Sequence, residues 1–527
     1  MKPSPIKSKT DYWSHLLTLC LLLASNFANT QVSYLDIDLN YGPNEVGYNY
    51  LNLLDSSRIY ERKMNYEGVL EYRPIGVSVW YPSENNKLAE KVEIAAYVDR
   101  LKIEQEWEHL PQEFLLEWFG YNSTLPSQQN LEHLARSIKA GNQKAGKYPL
   151  IVYCPSYQAP STENFILCEY LASHGFVVIS TASKGPYNVY LQGGTIQDAE
   201  AQARDIEYAI GYASSLENVN PDHKYLVGFS FGGLSDILVA MRNKRIKGII
   251  SLDGTVKYKW EAIKNSTWCE LQRLKVPFIH FSQKNIPVEV LKKEKLDTSI
   301  NSDFAFFDEL TETTKYEFRM KDLTHGYFSS FGALFIQRDT VQDKSYPEIS
   351  DSYAKLCHLV LASIQSISDL NKEEMEWNHD AFLSRLQLNN SVALIKYEAP
   401  TPPLKDQFLR HIEQSRKEDF VNLHAIYQEI ISIDESYSPQ EGDLNVLGLQ
   451  LIFRPSTFKQ GERVFKFALE LYPNSANLYD SLAEGYRIHG DRELAIANFK
   501  KSLELYPGNS NAKKRLLQMG ATTETRH

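Results

Sequence analysis

The sequence predicts a doubly wound α/β domain followed by an all-α domain, and three observations carry that reading. Short β-rich runs alternate with helical stretches from about Arg73 to Gly332. Several of those runs are unbroken Val, Ile, Leu and Phe, which suits strands buried on both faces of a mostly parallel sheet. After about Asp351 the strand signal gives way to amphipathic helix, and a 34-residue period emerges.

The expected strands, in order, are PIGVSVWYP, KYPLIVYCP, GFVVISTAS, KYLVGFS, KGIISLDG, VPFIHFS and KYEFRM. Between them lie segments such as 196–215, where Ile196, Ala199, Ala203, Ile206 and Ile210 recur at helical spacing. Strand–helix alternation of this kind builds a sheet covered on both faces. The charged stretch Ser83–Lys147 reads as a helical insertion within a domain spanning 46–350. A helical linker region, 351–403, is expected to end in the stiff sequence APTPP.

Beyond it, residues 404–520 carry the repeat. ALELYP at Ala468–Pro473 returns as SLELYP at Ser502–Pro507, and Pro439 sits one further period upstream. Thirty-four residues is the length of the tetratricopeptide unit. Tyr479, Leu482, Ala483, Tyr486, Ala495, Phe499 and Pro507 fall at that unit's expected positions. Helices between Asp406 and Ile433 are expected to complete or cap the array, because two hairpins stack poorly alone. Such arrays present a concave surface to a peptide or protein partner.

At 527 residues the chain is long enough for roughly three or four typical units. Its 66 acidic against 56 basic residues give a net charge of −10, which argues against a chain built to wrap nucleic acid. Five cysteines exclude a disulfide-stapled scaffold, and no ligand cluster implies a metal or organic cofactor. Lys2, Lys7 and Lys9 precede the apolar run LLTLCLLLA, Leu16–Ala24. As a helix it spans about 13 Å, too short to cross a bilayer. The pattern is that of a signal peptide over 1–28, hence an exported protein with no transmembrane span. Cys154, Cys168, Cys269 and Cys357 would then meet an oxidising environment.

The chemistry lies in Gly228-Phe229-Ser230-Phe231-Gly232-Gly233, directly after the strand KYLV. This is G-x-S-x-G, the nucleophile elbow of α/β-hydrolases, in which a serine occupies a tight strand-to-helix turn. A serine hydroxyl needs an imidazole to take its proton, and the imidazole needs an acid to fix its tautomer. The chain order in this fold is Ser, acid, His. His325 follows the strand KYEFRM and fits; His174 precedes the serine, His280 is inside a strand, and His358 lies on an apolar helix. For the acid, the loop after VPFIHFS offers only Gln283, Lys284 and Asn285. Asp253, at the end of ISLDG, is the choice, with Asp322 the rival and Glu289 a remote third. An oxyanion also needs donors. The Phe231 amide is one by construction, and the other is expected within Pro155-Ser156-Tyr157-Gln158.

These motifs resemble the dienelactone-hydrolase-related esterases, in particular the platelet-activating-factor acetylhydrolase-like (plasma type) branch. RPIGVSVWYP is similar to that branch's entry strand, LASHGFVVIS to the strand after its oxyanion loop, and GFSFGG to its elbow. The resemblance covers about 58–332. It implies Ser230 as nucleophile, Asp253 as acid, His325 as base, and the amides of Tyr157 and Phe231 as oxyanion donors. One departure stands out: the branch commonly has His-Gly-x-Gly in the oxyanion loop, and here Gln158 replaces the second glycine. The function expected is hydrolysis of carboxylic esters, with short acyl groups, on a small ester substrate. An amidase or peptidase on the same triad, and an inactive scaffold acting through its repeats, are the alternatives.

Overall fold

The computed structural model describes residues 32–62, 70–84, 88–111, 125–264, 266–267, 269–336, 341–373, 377–400 and 419–522, together with Phe114, Glu117, Phe408 and Ile412. The expected leader, 1–28, lies outside them. The chain divides into two compact units, 1–400 and 401–527. Among the described residues no helix is long and apolar enough to cross a membrane.

Among the described residues, the first unit carries an eleven-stranded mixed sheet. Its strands are β1 (Glu45–Arg62), β2 (Leu70–Ser83), β3 (Lys91–Glu93), β4 (Leu134–Lys139), β5 (Tyr148–Cys154), β6 (Val177–Thr181), β7 (Val219–Phe229), β8 (Ile246–Leu252), β9 (Phe278–Ser282), β10 (Lys315–Met320) and β11 (Val392–Glu398). They lie in the order β11-β10-β9-β8-β7-β5-β6-β2-β1-β4-β3. The stretch from β6 through β10 is parallel. β2 runs antiparallel to both β1 and β6, and β11 antiparallel to β10.

Alternate residues of the central strands feed two cores. Ile151, Tyr153, Val227 and Phe281 face one layer with the helices Phe165–Ser173 and Tyr346–Glu373. Leu150, Val152, Leu226 and Phe278 face the other, with Ile196–Ala213 and Gly232–Arg242. Burial on both faces is why these strands read as continuous apolar runs. The chain leaves β5 toward β6 on one side, then returns to β7 on the other. That reversal opens a crevice at the C-terminal ends of β5 and β7, where open α/β sheets bind their ligands.

Two expectations change. The stretch 83–147 is not only helical: it contributes β3 and β4 beside the helices Ile94–Glu104 and Leu125–Glu132. The stretch 351–403 is no linker. Its long helix buries Tyr353, Leu356, Leu359, Val360, Ile364 and Ile367 in the first core, and β11 extends the sheet. β11 escaped the pattern because it is an edge strand, mostly half-buried and without strict alternation, running into APTPP. β1 escaped because Asp55-Ser56-Ser57 interrupts its alternation, and there its register with β2 slips.

The second unit, described over 419–522, packs the helices Leu423–Ile431, Glu441–Ile452, Phe458–Leu471, Ala476–His489, Arg492–Leu505 and Ser510–Gln518 around Phe465, Ala468, Leu482, Tyr486 and Phe499. Phe458 and Arg492 open helices 34 residues apart, as do Ala476 and Ser510. Gly448 and Gly461 let the first helix pair close: a Cβ would sit 2.6 Å from the Phe465 ring or from the Ile452 nitrogen. Most of 404–418 lies outside the described residues.

Candidate active site

Ser230 follows β7 at φ +52°, a left-handed conformation that costs a non-glycine residue about 1–3 kcal/mol. The turn is fixed by hydrogen bonds: the Ser230 amide donates to Leu252 O at 3.1 Å, and its carbonyl accepts from Gly233 N (3.0 Å) and Thr255 N (2.7 Å). The surrounding glycines are a packing requirement. A Cβ on Gly228 would lie 2.6 Å from Gly233 N, one on Gly232 would collide with the Cys154 carbonyl oxygen, and one on Gly233 would lie 2.8 Å from Gly254 Cα. The helix Gly232–Arg242 can therefore start directly against the loop that follows β5.

Asp253 ends β8, fully buried and also at positive φ (+39°). It accepts from Tyr258 OH (2.6 Å), from the Gln283 amide (3.0 Å) and from His325 Nδ1 (2.6 Å). Burial pushes its carboxyl up, but the bonds and charge of His325 and the Tyr258 hydroxyl outweigh that and hold it below the ordinary range. Burial and the Asp253 charge push the Tyr258 phenol well above its usual range, so it stays a donor. His325 opens the turn after β10. With Nδ1 facing an acceptor-only carboxylate, Nε2 is left to accept from Ser230 Oγ at 2.9 Å. Its ring rests on Phe229, and its backbone N–H is held by Gln283 Oε1 at 3.2 Å.

The structure brings Ser230, His325 and Asp253 into one unbroken relay and leaves their rivals outside it. Asp322 accepts from Ser352 Oγ and pairs with Lys344, and Glu289 is exposed on a short helix. His280 is buried on Ser251 Oγ, and burial lowers its pKa to about 4. His174 caps the end of the helix Phe165–Ser173, and His358 lies within Tyr346–Glu373.

The loop after β5 is anchored by Glu163. Its buried carboxylate accepts from the Ser156 amide (2.8 Å), from Ser156 Oγ and from Tyr153 OH (3.1 Å). Burial raises the carboxyl to about 7 against the opposing pull of those bonds. The next amide, Tyr157, and the Phe231 amide have no acceptor among the described residues. Their rings pack edge to face at 5.8 Å, so the two amide-bearing residues are neighbours. A cavity of about 1020 Å³ opens over Ser230 and His325, walled by Tyr157, Gly194, Phe231 and Trp260.

Sequence reasoning missed Tyr258, Gln283 and Glu163. Gln283 carries a trace of a signal: it stands where the fold often keeps its acid, and it instead binds Asp253, Tyr258 and His325. Glu163 had none, since nothing local separates a buried glutamate from an exposed one.

No protein-family model and no curated protein matches the chain. Among solved structures, a ferulic acid esterase from Streptomyces cinnamoneus aligns with 68% of this chain and 99% of its own, at 16% identity and a TM-score of 0.43.

Proposed function

We propose that the chain is an exported serine hydrolase that cleaves carboxylic esters, with a short acyl group, through an acyl-enzyme. The observation that supports this most is the relay Ser230 Oγ–His325 Nε2, His325 Nδ1–Asp253, at 2.9 and 2.6 Å, opening on a large cavity. In this reading Ser230 Oγ attacks the ester carbonyl as its proton passes to His325 Nε2. Asp253 stabilises the imidazolium that forms. The oxyanion is received by the amides of Phe231 and Tyr157, which have no other acceptor among the described residues. Collapse expels the alkoxide, which leaves as the alcohol with the proton from His325, and water then repeats the sequence on the acyl-enzyme. The order Ser230, Asp253, His325 along the chain agrees with an α/β-hydrolase of the dienelactone-hydrolase-related kind. The second unit is read as tetratricopeptide-like, offering a surface to a peptide or protein partner; the 34-residue spacing of its helices supports this.

The test is fluorophosphonate labelling of the wild type and Ser230→Ala, with p-nitrophenyl acetate, butyrate and octanoate hydrolysis alongside. Labelling and turnover are expected in the wild type and absent in the variant. A folded wild-type protein that neither labels nor hydrolyses any of the three would sink the esterase reading. It would favour an inactive scaffold.

A further inference from the structure

Gln158 occupies the position where a glycine would be the easy choice. Its φ is +59°, a conformation that glycine adopts freely and glutamine does not. What the side chain gains is a set of bonds that glycine cannot make. Its Nε2 donates to Gln105 Oε1 and to Val189 O (2.5 Å), and its Oε1 accepts from Leu191 N at 3.0 Å. Gln105, buried at the end of the helix Ile94–Glu104, returns a bond to Gln158 O at 3.4 Å. Next door, the Tyr157 phenol oxygen accepts from Gly193 N at 3.0 Å.

The bonds to Val189, Leu191 and Gly193 reach into 189–193, part of an irregular segment between β6 and the helix Ile196–Ala213, while those with Gln105 tie Gln158 to the helix Ile94–Glu104. Its far end is pinned separately, by Asp198 accepting from the amides of Gln192, Gly194 and Thr195. Gly193 and Gly194 both line the cavity over Ser230, and both sit at positive φ. The cavity wall thus has no ladder of its own. Tyr157 and Gln158 supply the missing one.

We infer that Gln158 is a positioning residue that locks the Tyr157 amide and the 189–194 wall of the cavity together, so that the oxyanion donor and the surface receiving the substrate are set by a single latch. This rests on the esterase reading above and adds to it a residue that touches neither the substrate nor the reacting atoms. A displaced donor is costly because reacting groups must be placed to a fraction of an ångström.

The variants are Gln158→Gly, which suits the backbone and removes every side-chain bond, and Gln158→Met, which keeps the bulk without the bonds. For both, kcat on p-nitrophenyl acetate is expected to fall about 100-fold. Relief of the left-handed strain is expected to offset part of the lost bonds, so the thermal stability of Gln158→Gly should fall only slightly. Hydrogen exchange at the Leu191 and Gly193 amides is expected to quicken about tenfold or more, while Thr195, held by Asp198, keeps its protection. Wild-type kcat in Gln158→Gly, or unchanged exchange at Leu191, overturns the latch. So does a loss of activity that merely tracks a loss of stability. An inert wild type overturns the esterase reading and the latch with it; an active wild type with an equally active Gln158→Gly overturns the latch alone.

Discussion

Two of the buried glutamates, Glu163 in the first unit and Glu462 in the second, are held in opposite ways. Glu163 in the first is surrounded by neutral donors, two hydroxyls and an amide, and burial lifts its carboxyl to about 7. For Glu462 in the second, burial pulls the same way, yet Lys466, Lys459 and Tyr486 hold its carboxyl at about 2. The backbone differs locally as well. Around the candidate active site Ser230, Asp253 and Gln158 all stand at positive φ. Between 441 and 518 only Gly490 does, as the left-handed cap of the helix Ala476–His489. Its other helix ends use ordinary devices, such as the side-chain caps of Ser475 and Asn509. Positive φ recurs elsewhere, at Ala140, Lys295, Gln387, Asp419 and Phe420, so the distinction lies in the clustering of three such residues around Ser230.

The strongest way to break this contrast is to show that the strained residues do no chemistry. Asp253→Asn is expected to lower kcat about 10⁴-fold, because an amide lets the imidazole take the wrong tautomer. The fold should persist by circular dichroism. A loss below tenfold would remove Asp253 from the relay.

Next in size is the packing of the elbow. Gly232→Ala forces a methyl into the Cys154 carbonyl and is expected to destabilise the first unit by about 3 kcal/mol in denaturant titration. Little or no loss would mean that the turn and the loop after β5 can separate freely.

The two glutamates sharpen the comparison through pH. Glu163 has a folded pKa above its ordinary 4.5, so its stabilising contribution is complete below 4.5 and is lost as pH rises through about 7. Glu163→Gln should therefore gain on the wild type across that window, by up to about 3 kcal/mol. Glu462 has a lowered pKa, so its contribution is present above 4.5 and lost as pH falls through about 2. The deficit of Glu462→Gln should accordingly shrink over that lower window. Unfolding midpoints of both variants against the wild type, from pH 2 to 8, decide it; slopes of the same sign would erase the distinction. The smallest effect belongs to Gly442, where a Cβ meets nothing within 4 Å. Gly442→Ala should stabilise the second unit by about 0.5 kcal/mol.

Much of the site was legible because its signals are local. The elbow needs its glycines at fixed offsets, and the central strands, buried on both faces, announce themselves by composition. The rest depended on contacts over long separations. Gln105 meets Gln158 across 53 residues, and Gln283 reaches His325 across 42. β11 went unread because it lies at an open edge, and β1 because Asp55-Ser56-Ser57 breaks its alternation, which leaves sheet pairing, and not side-chain pattern, to define them. The second unit's period was visible because identical helix pairs must recur at identical spacing.

β11 also settles where the gene can be cut. A fragment stopped at residue 350, where the strand pattern fades, would lose most of the long helix Tyr346–Glu373 as well as β11. β10 would become the border of the sheet, with the Tyr316 ring stripped of Tyr397, Trp377 and His379. Bare amides beside stacked aromatics are a template for the same strand of another molecule, and such a product is expected to self-associate. Carried on to residue 400, the fragment keeps β11 as its border and the Tyr316 ring covered.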